Sequence, residues 1–316
     1  MSSIIITEIA NAIKTSGPRS ISILSGAGIS VASGIPDFRS PGGMYDTLLP
    51  ELLTASEQEK RFLSMDPVGV VSWDLFQVNP FPYLEVRRPF ILGIEEGKWK
   101  ITLSHLFHSL LERHDKLNKV MTQNIDGLDY IGGLTSTSNI LNVHGSLAEI
   151  GCEFCGMPQD KAKFIKDMQS KIKDIYNIDV NAPTQSSHIE CSHCGKSGVK
   201  PTTVLYGRNL PAAFFQSLEH DLPSTEILFV MGTSLTVFPA AGVPDMCQDS
   251  TKRIMVNRDD ISDKVSSFDT DKDKMITSNC DDFVASLIVE LGWLEEAKQH
   301  RELLCEQSLS LLDSMT

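Results

Sequence analysis

The chain has seven cysteines, and four of them form two Cys-x-x-Cys pairs: Cys152 with Cys155, and Cys191 with Cys194. Two such pairs can close a tetrahedral thiolate site around Zn²⁺, and four protein ligands make the predicted ion structural. The 35 residues between the pairs exceed the usual spacing of about 15–20. His188 and His193 are alternative ligands, and a redox dithiol is the alternative chemistry.

A candidate general base, His144, follows the apolar run Ile140–Val143 and precedes Gly145. An imidazole with an ordinary pKa near 6.5 can take a proton at about neutral pH. A lone histidine is more often a structural residue, so the prediction of a catalytic role depends on the polar motifs that accompany it.

The first of these motifs, Gly-Ala-Gly-Ile-Ser at residues 26–30, directly follows the apolar run Ser20–Ser25. Small residues let the backbone approach a phosphate, and a predicted helix after the turn would point free N–H groups at the anion. The third glycine of the dehydrogenase fingerprint is absent, because Val31 stands three positions after Gly28. The next loop, Gly34–Ser40, adds three side chains that can contact the same ligand: Asp37, Phe38 and Arg39.

Three further polar motifs follow apolar runs. Thr-Gln-Asn-Ile-Asp-Gly-Leu at 122–128 offers amides and a carboxylate, which suit ribose hydroxyls and a carboxamide. Asp126 in this motif can alternatively cap a helix, or it can do both. Gly-Thr-Ser-Leu at 232–235 suits phosphate or ribose oxygens, and Asn-Arg-Asp at 257–259 suits a ribose or adenine.

The elements that must position these motifs are short, nearly continuous apolar strands that alternate with helical patterns. Apolar strands of this kind are typical of a parallel sheet covered on both faces, which binds ligands at the carboxyl ends of its strands. We therefore predict an α/β fold with a Rossmann-like, doubly wound parallel sheet and a second, smaller domain. The predicted strands are Ser20–Ser25, Lys119–Thr122, Ile140–Val143, Ile227–Met231 and Arg253–Val256, with helices over 4–13 and 103–111.

Two stretches interrupt the alternation, one rich in proline and one holding the paired cysteines. The predicted Rossmann-like domain comprises 1–42, 96–144 and 204–292, the smaller domain 43–95 and 145–203, and a C-terminal helical tail 293–316.

The net charge of −13 disfavours a broad electrostatic grip on nucleic acid and suits a lysine-rich peptide, although solubility alone explains it equally well. No apolar run approaches the roughly 18 residues of a membrane helix, and the first residues do not resemble a signal peptide. We therefore expect no membrane partner, with the cytoplasm as the first choice of location and the nucleus as the second.

Taken in order, the motifs GAGIS, GIPDFRS, TQNIDGL, HGS, the paired CxxC and GTSL resemble the sirtuin family over residues 20–292. The resemblance is to the cytoplasmic and nuclear class I deacetylase type. It implies a Rossmann-like domain with a smaller zinc-ribbon and helical domain, and a cleft where NAD and an acyl-lysine peptide meet. It also implies the following sites.

His144 is the implied catalytic base. The implied NAD contacts are Ala27, Gly28, Ile29, Ser30, Asp37, Phe38, Arg39, Gln123, Asn124, Ile125, Asp126, Gly232, Thr233, Ser234, Asn257, Arg258, Asp259 and Cys280. The implied substrate contacts are Val204, Leu205 and Tyr206, and the implied zinc ligands are the four paired cysteines.

The implied reaction removes an acyl group from lysine, with NAD as co-substrate and nicotinamide and O-acyl-ADP-ribose as products. His144 would take a proton from the ribose hydroxyls after nicotinamide leaves. Acylated proteins, with histones and tubulin as candidates, would be the partners. Arg208 stands where the family's peptide motif usually has glutamate, so the local charge is inverted. The absence of the Tyr and Arg pair of malonyl- or succinyl-selective sirtuins favours acetyl or longer neutral acyl groups.

Two other enzyme activities and one non-enzymatic function remain as alternatives. Protein ADP-ribosyl transfer is close to the main hypothesis. A hydride-transferring dehydrogenase is disfavoured by the missing third glycine. A zinc-ribbon interaction module is disfavoured by the intact His144.

Overall fold

The computed structural model describes residues 3–35, 43, 45–134 and 136–315. It divides into two compact units, which we call the sheet unit and the cysteine unit. The sheet unit comprises residues 1–35, 99–144 and 211–316, and the cysteine unit comprises 36–98 and 145–210.

The sheet unit is built on six parallel strands: β1 (Ile21–Ser25), β2 (Leu117–Thr122), β3 (Ile140–Asn142), β6 (Ile227–Met231), β7 (Lys252–Asn257) and β8 (Lys274–Thr277). Their order is β3-β2-β1-β6-β7-β8, so the sheet winds outward in both directions from β1 and β6. Every residue of β1 and β6 is buried, as expected for central strands covered on both faces. The predicted doubly wound parallel sheet is confirmed.

Helices cover this sheet because each has an apolar face to bury. In α1 that face is formed by Ile6, Ile9, Ala10 and Ile13. Phe107 of α5 packs edge-on against Phe229 of β6, with ring centroids 5.6 Å apart. The α-helices of the sheet unit are α1 (Ser3–Thr15), α5 (Leu103–Arg113), α6 (Leu128–Ile131), α8 (Ala212–His220), α9 (Cys280–Leu291), α10 (Leu294–Lys298) and α11 (Glu306–Asp313).

The cysteine unit contains a two-stranded antiparallel sheet of β4 (Ile150–Cys152) and β5 (Val199–Pro201). Its helices are α2 (Glu57–Met65), α3 (Trp73–Phe76), α4 (Phe81–Glu95) and α7 (Lys161–Lys171). A capping box between Ser56 and Glu59 fixes the start of α2.

The division into units differs from the predicted boundaries in two respects. Residues 96–98 and 204–210 group with the cysteine unit, and the C-terminal tail groups with the sheet unit. Backbone hydrogen bonds join Ile101 to Leu303 and Cys305, and Leu312 of α11 is fully buried. These contacts are between residues distant in sequence, so periodicity alone does not reveal them. In the described part of the chain, no helix combines the length and apolar character needed to cross a bilayer.

Candidate active site

The predicted motifs of the sheet unit lie at one edge of the sheet, because the carboxyl ends of its parallel strands coincide there. The order of strands reverses between β1 and β6, so the turns after these strands are neighbours. Gly28 N donates to Gly232 O at 2.8 Å, and Gly26 N donates to Met231 O at 3.0 Å. The two glycine turns therefore form one continuous backbone surface that presents few side chains.

The prediction of an α-helix directly after the first glycine turn is wrong. The chain forms two short 3-10 helices instead, Ala27–Ile29 and Val31–Ser33. Ile29 O accepts a hydrogen bond from Thr102 Oγ1 at 2.8 Å, so this stretch is tied to the start of α5. An anion here would therefore not meet the end of a long helix, and four of the five N–H groups of residues 26–30 already donate to backbone carbonyl oxygens.

The loop after β2 forms a hydrogen-bonded network with the glycine turn. Asn124 Nδ2 donates to Gly26 O at 3.1 Å and to Ser30 Oγ at 3.2 Å. Ser30 Oγ donates to Asp126 Oδ2 at 2.7 Å, and Asp126 Oδ1 accepts from Leu128 N at 3.0 Å. Asp126 therefore accepts one hydrogen bond from the start of α6 and one from Ser30.

Asp126 is buried, and burial raises the pKa of its carboxyl despite the opposing effects of His105 and of the Leu128 N–H. A raised pKa makes the protonated form of Asp126 easier to reach than in water. Protonated or ionised, the carboxyl accepts from Ser30 and orients that hydroxyl. The network is thus a pre-organised polar surface next to the glycine turns.

Four residues that the sequence reasoning missed lie behind this loop in the sheet unit: Thr102, His105, His108 and Asp129. Thr102 caps α5 through His105 N, and His108 Nδ1 contacts Asp129 Oδ1 at 2.9 Å. Burial lowers the pKa of His105, although Asp129 and Asp126 oppose this. Burial is the largest single effect and would raise the pKa of Asp129, but the hydrogen bonds and charges of its neighbours, His108 above all, together lower that pKa. The signal in the sequence is Thr-x-x-His at the start of the helical pattern 103–111, which resembles a capping box.

His144 follows β3 and is half-buried beside the end of β2. Its Nδ1 lies 3.0 Å from the backbone carbonyl oxygen of Gln123. A carbonyl oxygen only accepts, so Nδ1 must carry the ring proton, and Nε2 is the basic nitrogen of the neutral ring. Gln123 Nε2 in turn donates to Thr233 Oγ1 at 3.0 Å. The structure therefore brings the predicted base together with the loops after β2 and β6.

The remaining predicted contacts follow β6, β7 and β8. Ser234, Arg258 and Asp259 are exposed, and the Asn257 amide donates locally to Asp259 O at 3.3 Å. Cys280 is the buried first residue of α9, where its Sγ donates to Val256 O, and burial raises the pKa of its thiol to about 12. A thiol so hard to ionise is suited to packing, not to nucleophilic attack. Ala27 is exposed and Ile125 half-buried, whereas Asp37, Phe38 and Arg39 lie outside the described residues.

In the cysteine unit, the four paired cysteines form one cluster. The Sγ atoms of Cys152 and Cys194 lie 3.7 Å apart, as do those of Cys155 and Cys191. A zinc ion with Zn–S bonds of about 2.3 Å separates tetrahedral sulfurs by about 3.8 Å, so these thiols fit one zinc ion. Among the described residues, only these four make up the cluster, and neither His188 nor His193 is needed.

The predicted substrate segment also lies in the cysteine unit, directly after β5. Val204 is half-buried, Leu205 is buried and Tyr206 is exposed. Tyr206 N donates to Val71 O at 3.0 Å, and Tyr206 O accepts from Trp73 N at 2.8 Å. These bonds hold the segment extended on one side.

Comparison with known proteins agrees with this geometry. A family model described as the Sir2 family matches residues 26–239. NAD-dependent deacetylase sir2D of Dictyostelium discoideum is 31% identical over 87% of this chain, and the chain spans 45% of that relative's length. NAD-dependent protein deacetylase hst2 of Schizosaccharomyces pombe is also 31% identical, over 92% of this chain and 78% of its own length.

A solved structure described as "Structural Basis for the Mechanism and Regulation of Sir2 Enzymes" shares the fold, with a TM-score of 0.66 and 24% identity. That similarity covers 93% of this chain and 100% of the solved chain. With the family model matching most of the chain and the sheet, glycine turns, His144 and cysteine cluster in place, the chain belongs to the Sir2 family.

Proposed function

We propose that this protein is an NAD-dependent protein lysine deacetylase. The observation that carries the proposal is the contact between His144 Nδ1 and Gln123 O, which makes Nε2 the basic nitrogen beside the Asn124–Ser30–Asp126 network. The relatives from Dictyostelium discoideum and Schizosaccharomyces pombe, both named as NAD-dependent deacetylases, support it.

The polar edge of the sheet suits NAD. When bound, NAD supplies an activated bond between nicotinamide and ribose, whose cleavage drives acyl transfer. The turns at Gly26–Ser30 and Gly232–Ser234 place little side-chain bulk in the way of a pyrophosphate. Among the described residues of these turns, the N–H groups of Ala27, Thr233 and Ser234 make no backbone hydrogen bond and are the candidate donors. Asn124, Asp126 and Ser30 offer the amide, carboxyl and hydroxyl groups that ribose and carboxamide need.

In this proposal His144 Nε2 takes a proton from a ribose hydroxyl. The Gln123 carbonyl keeps the ring in the tautomer that can do so, and it would stabilise the imidazolium that forms. The protein otherwise contributes by orienting the reacting groups. The proposed NAD site also includes, by family motif, residues of the first loop and residues that follow β7 and β8: Asp37, Phe38, Arg39, Asn257, Arg258, Asp259 and Cys280.

The proposed substrate is an acetylated lysine in a protein. Val204, Leu205 and Tyr206 would pair with the backbone of the peptide, with Val204 packing on the lysine stem. Histone tails and tubulin are the first substrates to test, and the nucleus and cytoplasm are the compartments that the proposal assigns.

The test is mass spectrometry of acetyl-lysine peptides incubated with the protein, with and without NAD. We expect the peptide to lose about 42 Da, because hydrogen replaces the acetyl group, and to do so only with NAD. Nicotinamide and O-acetyl-ADP-ribose should form in equal amounts. Deacetylation without NAD would overturn the mechanism. ADP-ribose attached to protein, with no deacetylation, would favour the transferase alternative, and reduced cofactor would favour a dehydrogenase.

A further inference from the structure

A buried lysine in the cysteine unit, Lys200, shares a carboxylate partner with Arg208. The Lys200 side chain is 2% exposed, and its Nζ lies 2.9 Å from Glu153 Oε2. The same ammonium donates to the carbonyl oxygens of Pro201 and Thr203. Glu153 Oε1 lies 3.1 Å from Arg208 Nε. One carboxylate thus serves two cations, which leaves the trio with an excess of positive charge when Lys200 is protonated.

Arg208 is held in place but keeps much of its hydrogen-bonding capacity. Its guanidinium lies over the Trp73 ring, 4.7 Å from the centroid, and its side chain is 47% exposed. Stacking of this kind fixes the plane of the guanidinium and reduces the entropy lost when a ligand binds. Within the described residues, the ion pair with Glu153 involves Nε, and the two terminal nitrogens make no hydrogen bond or ion pair. Paired terminal N–H groups are the ones that hold a carboxylate bidentately.

Arg208 also stands at one end of a backbone edge, formed by residues 202–208, that can bind a peptide. Tyr206 is bonded on one side to Val71 and Trp73. In the described part of the chain, no backbone partner is recorded for the N–H groups of Val204 and Leu205. At the other end of this edge, the exposed Glu149 accepts from Thr202 Oγ1 at 3.4 Å. The edge is therefore acidic at its Thr202 end and basic at its Arg208 end.

We propose that Arg208 is a specificity residue, which selects acetylated peptides that carry an acidic side chain near the acetyl-lysine. This inference rests on the proposed deacetylase function and names the class of substrate. Arg208 binds the acidic side chain with its terminal nitrogens, while the N–H groups of Val204 and Leu205 are the candidate donors to the peptide backbone. The preference is notable because the net charge of the whole chain, −13, would by itself attract basic peptides.

The test uses one acetyl-lysine peptide in which each of the three positions on either side is changed in turn to Glu, Gln or Lys. Two measurements are made: nicotinamide release gives kcat and KM, and fluorescence anisotropy without NAD gives the peptide affinity. At one position we expect Glu to lower KM by about tenfold relative to Lys, with kcat little changed, as one charge-assisted hydrogen bond would do. Arg208→Gln removes the preference, Arg208→Glu reverses it, and Arg208→Lys retains a weaker preference.

The matched control is Lys166→Gln, which removes one exposed positive charge from α7 of the same unit and should leave the preference intact. Melting temperatures identify any variant that fails to fold, and the conservative Arg208→Lys variant then carries the comparison. A parent protein that prefers Lys or shows no charge preference at every position would overturn the inference. Anisotropy that ranks the peptides as expected, with no NAD-dependent turnover of any of them, would instead overturn the proposed function.

Discussion

Gly28 and Gly232 lie back to back where the order of strands reverses, and neither has room for a side chain. A Cβ on Gly28 would lie 2.6 Å from Gly232 Cα, and a Cβ on Gly232 would lie 2.6 Å from Ile29 N. Gly232 also has φ of 61°, in the left-handed region that favours glycine. The two turns are therefore packed backbone against backbone, and the shape of the edge depends on both glycines.

Gly28→Ala should push the two turns apart and weaken NAD binding. Overpacking costs about 1–3 kcal/mol, so we expect an affinity about tenfold lower by isothermal titration calorimetry. Gly132→Ala is the control, because its added Cβ would have its nearest neighbour at 3.4 Å. Unchanged NAD affinity in a folded Gly28→Ala protein would show that the glycine contact does not shape the binding site.

His144→Tyr should abolish deacetylation while NAD binding stays close to that of the parent. The side chain acts on a proton, and loss of such a base lowers kcat by about 10²–10⁴-fold. The measurements are nicotinamide release with an acetyl peptide and calorimetric NAD affinity. His220→Tyr, at an exposed position in α8, controls for the added ring. The assigned role would be wrong if the variant kept its turnover, or if it lost NAD binding in step with activity.

Cys152→Ser should remove zinc and unfold the cysteine unit. A structural zinc site contributes directly to folding, so a missing thiolate affects both metal content and structure. Inductively coupled plasma mass spectrometry should find about one zinc per parent chain and far less in the variant. Cys247→Ser is the control, because the Cys247 thiol lies outside the cluster and donates to Val243 O. Full zinc content and an unchanged circular dichroism spectrum in Cys152→Ser would contradict the assignment.

His105→Gln should make the protein less sensitive to mild acid. The folded-state pKa of His105 lies below its ordinary value of 6.5, so the folded protein keeps the ring neutral while the unfolded chain takes up a proton. The contribution of His105 to the free energy of unfolding is therefore fully present above about pH 6.5. It falls as the pH drops towards the folded-state pKa, by at most about 1.4 kcal/mol per pH unit. Urea midpoints at about pH 7.5 and 5.5 measure the effect.

His220→Gln, at an exposed position of α8, is the control for the acid-sensitivity experiment. An acid-induced drop in the urea midpoint that is the same in His105→Gln as in the parent would show that other groups cause it.

Much of the sheet could be predicted because its central strands β1 and β6 are fully buried and give short, distinct apolar runs. The predicted Ile227–Met231 is β6 itself, and the predicted Ser20–Ser25 differs from β1 by one residue. The edge strand β8, Lys274–Thr277, was missed because only Ile276 in it is buried, so it lacks an apolar run. The strands β4 and β5 are three residues each, too short for a periodic signal.

The site was predictable where residue type alone carries the chemistry, as in the four thiols and the motifs at the strand ends. What the sequence could not show is which partners fix each group. The tautomer of His144 depends on Gln123 O, and the course of the glycine turn depends on Thr102. For Arg208, the sequence shows only that the local charge is inverted, whereas the structure shows that Glu153 and Trp73 hold its side chain. These are contacts between residues distant in sequence, and they have no local pattern.

A single ion that binds both cysteine pairs would close residues 156–190 into a loop cross-linked through the metal. The entropic free-energy cost of closing such a loop rises slowly, by about 0.6 kcal/mol for each doubling of its length. Phe164 and Met168 anchor one part of the loop in the core, whereas residues 180–185 run largely along the surface. This stretch is therefore a permissive place to lengthen the chain, and it offers a point for attaching a fluorophore or an affinity tag.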